Sequence, residues 1–160
     1  MLSKLCERVF QTLGPGHSEC VYQKALITEL HESPDYREVE IEKHVPILYE
    51  CNHTYTLGSC RIDILCYDVA NKRRVLIELK VLTGPVSYTV HQQVTKYVRL
   101  LEATGVHVDE AYVVNFKQSN TETGELEFLR TKIPGYPNES QNISQLREVS
   151  TVEPGGEGQE

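Results

Sequence analysis

The sequence predicts an α/β fold (α+β-like) in which helices flank a mixed β-sheet, in the order α-α-β-β-β-α-β-β. Apolar residues recur at helical spacing in three segments, while five others are short apolar runs bounded by Gly, Pro and Asn. One predicted helix lies between two apolar strands, which indicates a right-handed crossover and a parallel strand pair. A length of 160 residues suits one domain with its own core.

Two helices open the chain. Residues 2–13 place their apolar side chains on one stripe, and Gly14-Pro15-Gly16 ends that helix. A second helix is predicted from about Ser18, as its N-cap, to His31, with its own apolar stripe. The residues of that second stripe are Tyr22, Ala25, Leu26 and Leu30.

Five strands and a third helix follow. The first strand, residues 39–50, is predicted to be interrupted at Pro46, and Gly58 is predicted to mark a bulge within the second. A polar turn around Asn71-Lys72 joins the second strand to the third as a hairpin. The remaining segments are a third strand at 73–81, a long helix from about Ser87 to Ala103, a fourth strand at 107–116 and an edge strand at 124–133.

Two strands carry charged residues within otherwise apolar runs. Because strand side chains alternate between faces, Asp63, Glu78 and Lys80 are expected to converge on one side of the sheet, and the other side should be apolar. Two carboxylates about 4 Å apart repel by roughly 4 kcal/mol at an effective dielectric near 20. A divalent cation removes that cost, and a metal with two acids and an ammonium is the set that phosphodiester hydrolysis requires.

Simpler interpretations of these residues remain open from the pattern alone. A Glu-x-Lys on a strand is most often a solvated face with a weak charge pair. Glu19 is equally well explained as a helix N-terminal charge that complements the macrodipole. Gln93 and Tyr97, one turn apart, would ordinarily be a surface amide and a core aromatic, and Lys72-Arg73-Arg74 is best read as a charged turn.

Composition restricts the compartment and the partners. The net charge is −7, of which five acids and one base in residues 134–160 contribute −4, so no strongly basic nucleic-acid surface is evident. We expect a domain at residues 1–133 and an acidic, disordered tail at 134–160. Five cysteines form no Cys-x-x-Cys pair, and Cys20, Cys60 and Cys66 are expected to be buried thiols. No apolar run is long enough to span a membrane, and an intracellular protein, cytoplasmic or nuclear, is expected.

Four motifs in order carry a resemblance to a known family. Gly16-His17-Ser18-Glu19-Cys20-Val21-Tyr22 is followed by Arg61-Ile62-Asp63, then Ile77-Glu78-Leu79-Lys80, then Gln93-Val94-Thr95-Lys96-Tyr97, with Asn115-Phe116 beyond. In this order and spacing the chain resembles the GxxExxY family of the PD-(D/E)xK nuclease superfamily, over roughly residues 14–117. The Gln-x-x-x-Tyr element is also similar to the RecB-type branch. The resemblance implies a restriction-endonuclease-like mixed β-sheet flanked by helices.

The resemblance also implies a role for each matched residue. Asp63 and Glu78, with the carbonyl of Leu79, would bind the metal, and Glu19 would be a further metal or water-shell carboxylate. Lys80 would position or activate the attacking water and stabilise the phosphate. Gln93 would orient Lys80 or a phosphate. Tyr97 would pack beneath Gln93 or contact the substrate, and Arg61 would pair with the acids or contact the substrate phosphate.

Together these inferences predict a nuclease that depends on Mg²⁺ or Mn²⁺ and hydrolyses phosphodiester bonds of nucleic acid, with DNA favoured over RNA. The alternative is a catalytically inactive module on the same fold that binds nucleic acid or a protein partner. A third hypothesis is an interaction domain whose acidic tail recruits a partner. A chain this short would need to form a homo-oligomer to act processively.

Overall fold

The computed structural model describes residues 1–118 and 124–133 of the chain. Within these residues the element order is the predicted α-α-β-β-β-α-β-β. The predicted tail at 134–160 lies outside the described residues. The elements are α1 (Leu2–Leu13), α2 (Glu19–Glu32), β1 (Tyr36–Glu50), β2 (Thr54–Asp68), β3 (Arg73–Lys80), α3 (Tyr88–Ala103), β4 (Glu110–Lys117) and β5 (Glu125–Arg130).

The five strands form one mixed sheet in the order β1-β2-β3-β4-β5. β1, β2 and β3 are mutually antiparallel, β3 and β4 are parallel, and β5 is antiparallel to β4. α3 connects the parallel pair, as its position between two apolar runs predicts. The first residues of β2 and of α3 therefore lie at the same end of the sheet as Lys80, the last residue of β3.

Each face of the sheet is covered by helices. α1 and α2 pack on one face, where Tyr22, Leu26 and Leu30 meet Ile77 and Phe116. α3 packs on the other face, with its buried stripe against Leu76 and Val113. The predicted stripe of α2 is therefore its buried one, and the buried residues of α3 are Val94, Tyr97, Val98 and Leu101.

β1 and β2 form a hairpin that extends well past the rest of the sheet. The last β2–β3 pair is Ile64↔Ile77, whereas β2 remains paired with β1 as far as Thr54. Residues 54–59 of β2 are exposed on both strand faces. The register between the strands shifts where Gly58 faces Ile47, so the predicted bulge is confirmed.

The structure corrects three expectations, on Pro46, on Ile62 and on the burial of the cysteines. Pro46 does not interrupt β1. β1 is an edge strand with a partner on one side only, so a residue without a backbone N–H is tolerated there. Strict alternation along β2 predicts Ile62 on the same face as Ile64, but Ile62 packs in the α3-side cluster, and the positive φ of Glu42 on the paired strand marks where the strands turn. The predicted N-cap of α2, Ser18, is confirmed, although its side chain makes no capping hydrogen bond. Of the three cysteines predicted to be buried, Cys66 is buried, Cys60 is half-buried, and Cys20 is exposed because it lies off the buried stripe of α2.

No helix among the described residues is long and apolar enough to cross a membrane.

Candidate active site

The site begins where β2 and β3 separate. Beyond the last β2–β3 pair, the backbone N–H of Leu79 donates a 2.8 Å hydrogen bond to Oδ2 of Asp63, and this bond is buried. The Asp63 carboxylate thus satisfies a strand donor at the point where the backbone ladder has ended. This bond fixes Asp63 beside the segment that carries Glu78 and Lys80.

Glu78 and Lys80 form a pair on β3. The ammonium of Lys80 donates a 2.5 Å hydrogen bond to Oε1 of Glu78, whose side chain is 4% exposed. The second oxygen of Glu78, Oε2, is buried and has no hydrogen-bond partner among the described residues. A buried carboxylate oxygen without a partner is costly, and such an atom in a native protein calls for a ligand, an ion or a water.

Burial and neighbouring charges shift the pKa values of both members of the pair. Burial raises the pKa of Glu78 to about 7, Asp63 adds to the increase, and Lys80 opposes it. Burial alone would lower the pKa of Lys80, but its bond to Glu78 and the nearby Glu19 and Asp63 carboxylates raise it overall. Lys80 is therefore a charged ammonium at neutral pH, whereas Glu78 is only partly ionised there even though it is paired with Lys80.

Glu19 is the first residue of α2 and remains exposed. Partial loss of hydration raises its pKa; Lys80 and Arg61 lower it, and Asp63 raises it further. These interactions place Glu19 within electrostatic reach of the strand residues. Its location at the helix N-terminus agrees with both roles considered above, a ligand or a charge that complements the dipole.

A hydrogen-bond network holds the turn before Glu19. The hydroxyl of the buried Tyr22 donates a 2.6 Å hydrogen bond to the carbonyl of Gly14, and its ring stacks on Phe116 with centroids 4.4 Å apart. Gln118, just after β4, accepts a 2.5 Å hydrogen bond from the backbone N–H of Gly16. The sequence predicted Tyr22 as a core residue; it is one, and it also anchors the turn.

α3 brings the predicted amide and aromatic to the site. Gln93 donates a 2.5 Å hydrogen bond from Nε2 to the hydroxyl of Tyr97. Burial raises the pKa of Tyr97, Glu78 adds to the increase, and Gln93 lowers it, so the phenol lies within the field of the site. Among the described residues, Gln93 thus bonds Tyr97. The predicted action of Gln93 on Lys80 or a phosphate stays a prediction.

Arg61 forms an ion pair outside the strand acids and also lowers the pKa of Glu19. It pairs with Glu42 on β1 at 3.4 Å, and both side chains are about half exposed. Exposed pairs of this kind contribute little to stability. Its predicted contact with substrate stays a prediction.

Sequence reasoning assigned no role to a buried polar network behind the site. Asn115 on β4 is fully buried; its Oδ1 accepts a 2.9 Å hydrogen bond from Leu82 N–H, and its Nδ2 donates to Gly84 O and Glu127 Oε2. Glu127 also accepts from Val86 N–H. The network fixes the loop between Lys80 and α3. An Asn inside the apolar run of β4 was the available signal.

These donors fit a hard divalent cation. Mg²⁺ is commonly held by one or two carboxylates, with water and substrate phosphate completing its coordination. Asp63 and Glu78 supply two carboxylates, and Glu78 Oε2 is an oxygen that lacks a partner among the described residues. In residues 1–118 and 124–133, no three His, Cys, Asp or Glu side chains form a group that could hold a metal ion. The third carboxylate predicted from the sequence, Glu19, is thus not drawn into such a group.

Comparison with known proteins gives one match. The family model described as the PD-(D/E)XK nuclease superfamily matches residues 1–127. No curated protein and no solved structure gives a significant match. The five-stranded mixed sheet with three helices agrees with the restriction-endonuclease-like fold of that superfamily.

Proposed function

Because the chain belongs to the PD-(D/E)XK nuclease superfamily, we propose that it is a metal-dependent nuclease that hydrolyses phosphodiester bonds of nucleic acid. The observation that carries the proposal is the unpartnered buried oxygen of Glu78 beside Asp63 and Lys80. Asp63 and Glu78 would hold Mg²⁺ or Mn²⁺, and the carbonyl of Leu79 is a further candidate ligand. A bound divalent cation supplies activation of water and neutralisation of phosphate charge.

The chain's own residues supply the rest. Lys80 stays protonated at neutral pH because its pKa is raised, so it serves as a positive charge for the developing phosphate rather than as a proton acceptor. Gln93 and Tyr97 present an amide and a hydroxyl beside it for orientation of a phosphate oxygen. Glu19, at the α2 N-terminus, is the carboxylate available to a water near the metal.

We also infer the finer classification, the GxxExxY family and the RecB-like branch. The Tyr22 hydroxyl bonds the carbonyl of Gly14, and the Gly16 N–H bonds Gln118, so the signature residues Gly16, Glu19 and Tyr22 belong to one anchored turn. This shared turn is a structural reason for the spacing of the signature residues. The resemblance to the RecB-type branch supports DNA rather than RNA as the substrate.

Other features bear on location and partners. All five cysteines are free thiols, which supports a reducing compartment, the cytoplasm or the nucleus. On the basis of the sequence alone, we also propose that the chain forms a homo-oligomer and that residues 134–160 recruit a protein partner.

The decisive experiment is a cleavage assay. Labelled single- and double-stranded DNA and RNA would be incubated with the protein in Mg²⁺, in Mn²⁺ and in EDTA. Lys80→Ala and Glu78→Gln should abolish cleavage, while Lys132→Ala, which removes an exposed lysine at the opposite end of the sheet, should retain it. Cleavage that persists in EDTA or in Lys80→Ala would contradict the proposal.

The second candidate is an inactive binding module on the same fold. It is favoured by the failure of three carboxylates to converge among the described residues. A folded protein that binds nucleic acid but cuts none of the four substrates in either metal would support this candidate.

A further inference from the structure

Three tyrosines stand out because they are solvent-exposed. Tyr49 is 55%, Tyr55 is 50% and Tyr88 is 76% exposed. Every other Tyr or Phe in the described part of the chain is buried or half-buried. An exposed aromatic ring keeps a large apolar surface in water, so several at one location indicate a binding surface.

All three tyrosines lie at the active-site end of the sheet. Tyr49 and Tyr55 belong to the part of the β1–β2 hairpin that extends past Lys80, and Tyr88 is the first residue of α3, which follows β3. β2 runs antiparallel to β3, so its first residues and the N-terminus of α3 are at the same end. From Tyr55 to Asp63 the strand covers about 26 Å at its usual rise per residue.

The hairpin tyrosines form a cross-strand pair. Tyr49 is directly opposite Tyr55, which places both rings on one face of the hairpin. Regular alternation along β1 puts Tyr49 on the same face as Val45, which packs in the α3-side cluster. The face that bears the tyrosines is therefore continuous with the side of the sheet on which α3 and Tyr88 lie.

The charges at this end favour one kind of nucleic acid. The cations nearest the site are already paired, Arg61 with Glu42 and Lys80 with Glu78. The chain has a net charge of −7, of which residues 134–160 contribute −4, so the remainder of the chain is still mildly acidic. Duplex DNA carries one negative charge per about 1.7 Å and hides the faces of its bases, whereas a single strand has half that charge density and exposes them. A single strand, whose bases can stack on aromatic rings, therefore matches this surface better than a duplex does.

We propose that Tyr49, Tyr55 and Tyr88 form a stacking surface that binds the unpaired bases of single-stranded nucleic acid and directs the strand towards Lys80. The inference rests on the proposed function and names the substrate class of the same site. Base stacking tolerates any sequence, so the surface gives strand preference without base preference.

The binding test uses the full chain in EDTA, which prevents metal-dependent cleavage. Fluorescence anisotropy would give the affinity for a labelled 20-nucleotide oligothymidine and for a duplex of equal length. Removal of a stacked ring costs about 1–3 kcal/mol per base, so Tyr49→Ala, Tyr55→Ala and Tyr88→Ala should each weaken single-strand binding about fivefold to a hundredfold. The three Tyr→Phe variants should bind like the unmutated protein.

A control and a direct reporter complete the test. Val69→Ala removes an exposed apolar side chain at the opposite end of β2 and should leave the affinity unchanged. The chain contains no Trp. Tyr49→Trp therefore introduces a single indole, whose fluorescence should be quenched when the single strand is added and much less by the duplex. Melting temperatures of all variants would confirm that each is folded.

The outcomes separate this inference from the proposed function. Metal-dependent cleavage with unchanged single-strand affinity in all three Tyr→Ala variants would overturn the stacking surface and leave the nuclease. Tyrosine-dependent single-strand binding without cleavage would leave the surface and remove the nuclease. Preference for duplex, or Tyr→Ala variants that only convert a dimer to a monomer, would also overturn the surface, the latter in favour of contact between two copies.

Discussion

The backbone N–H of Leu79 is bonded by a side chain, the Asp63 carboxylate, at 2.8 Å. The bond couples the fold to the chemistry, because the same carboxylate that ends the β2–β3 ladder is a predicted metal ligand. Asp63 therefore has a structural role that does not depend on any metal. This distinction can be measured.

Asp63→Ala should lower the free energy of unfolding by about 1–3 kcal/mol, because it leaves the buried Leu79 N–H without an acceptor. Asp63→Asn keeps a carbonyl oxygen for that donor and removes a negative charge beside Glu78, so it should be markedly more stable than Asp63→Ala. Urea unfolding in EDTA measures both. Equal stability of the two variants would show that the bond contributes nothing.

Glu78 should make the metal-free protein less stable as the pH rises. Its pKa is about 7 in the folded protein, against an ordinary value of 4.5, so the folded state holds the proton more tightly than the unfolded state. The resulting stabilisation is fully present below about pH 4.5 and is lost as the pH rises through about 7. Glu78→Gln should therefore raise the melting temperature in EDTA by several degrees at pH 8 and by little at pH 5.

The control for this pH dependence is Glu125→Gln. The Glu125 side chain is 66% exposed, so its substitution should shift the melting temperature equally at both pH values. A Glu78→Gln effect that is the same at pH 5 and pH 8 would contradict the raised pKa.

Divalent metal should stabilise the unmutated chain. Binding to the folded state alone adds about 2.7 kcal/mol at a ligand concentration one hundred times the dissociation constant, which corresponds to a rise of several degrees in melting temperature. Glu78→Gln and Asp63→Asn should lose most of this rise in millimolar Mn²⁺, and Glu125→Gln should keep it. A rise of equal size in all four proteins would place the metal elsewhere.

Asn115 should be required for the order of the loop after β3. Asn115→Leu fills a similar volume but leaves Leu82 N–H without an acceptor and Glu127 with the Val86 N–H as its remaining donor, so we expect a loss of about 2–4 kcal/mol in stability. Hydrogen exchange should become faster for the amides of Leu82 and Val86. Asn71→Leu, in the β2–β3 turn at the other end of the sheet, should leave those amides protected. Unchanged exchange in Asn115→Leu would exclude the anchoring role.

Tyr22→Phe should separate positioning from packing. The ring and its stack on Phe116 are retained, but the hydroxyl that bonds the Gly14 carbonyl is lost. We expect about 1 kcal/mol less stability and, if Glu19 acts in the reaction, about a tenfold lower kcat with little change in KM. Tyr112→Phe removes a hydroxyl that bonds Glu110 and should leave kcat unchanged. A Tyr22→Phe enzyme with normal kcat would confine Tyr22 to packing.

The sequence predicted the helices well because their signals are local. The apolar stripe and the Gly14-Pro15-Gly16 break predicted α1 as residues 2–13, and the structure has Leu2–Leu13. α2 and α3 each begin within one residue of the predicted start. Local spacing determines which face a helix buries, so no tertiary knowledge was needed.

The errors concern residues whose environment depends on the whole sheet. Whether Pro46 is tolerated depends on the edge position of β1, which no local pattern reveals. Ile62 changes cluster because the strands turn near Glu42, and regular alternation does not anticipate such a turn. The roles of Asn115 and Glu127 required knowledge that β4, β5 and the loop after β3 meet.

Within the site, the sequence placed Asp63, Glu78 and Lys80 together because two hairpin strands with known faces determine their proximity. It also placed Gln93 and Tyr97 on one face of α3, but the bond between them depends on rotamers. The lack of a hydrogen-bond partner for Glu78 Oε2 could not be predicted, because it depends on which side chains of the described residues fail to reach that oxygen.

The contact of Tyr22 with Gln118 joins residues 96 positions apart. Closure of a loop of that length costs about 4 kcal/mol in chain entropy beyond a constant. The hairpin that carries Asp63, Glu78 and Lys80 closes over a much shorter distance, so it can form early, whereas the contacts of the Glu19 turn with Gln118 form only once the end of β4 has docked. During synthesis we therefore expect the acids and the lysine to assemble before the Glu19 turn gains its contacts with Gln118, and a nascent chain that lacks residues 116–118 would lack those contacts.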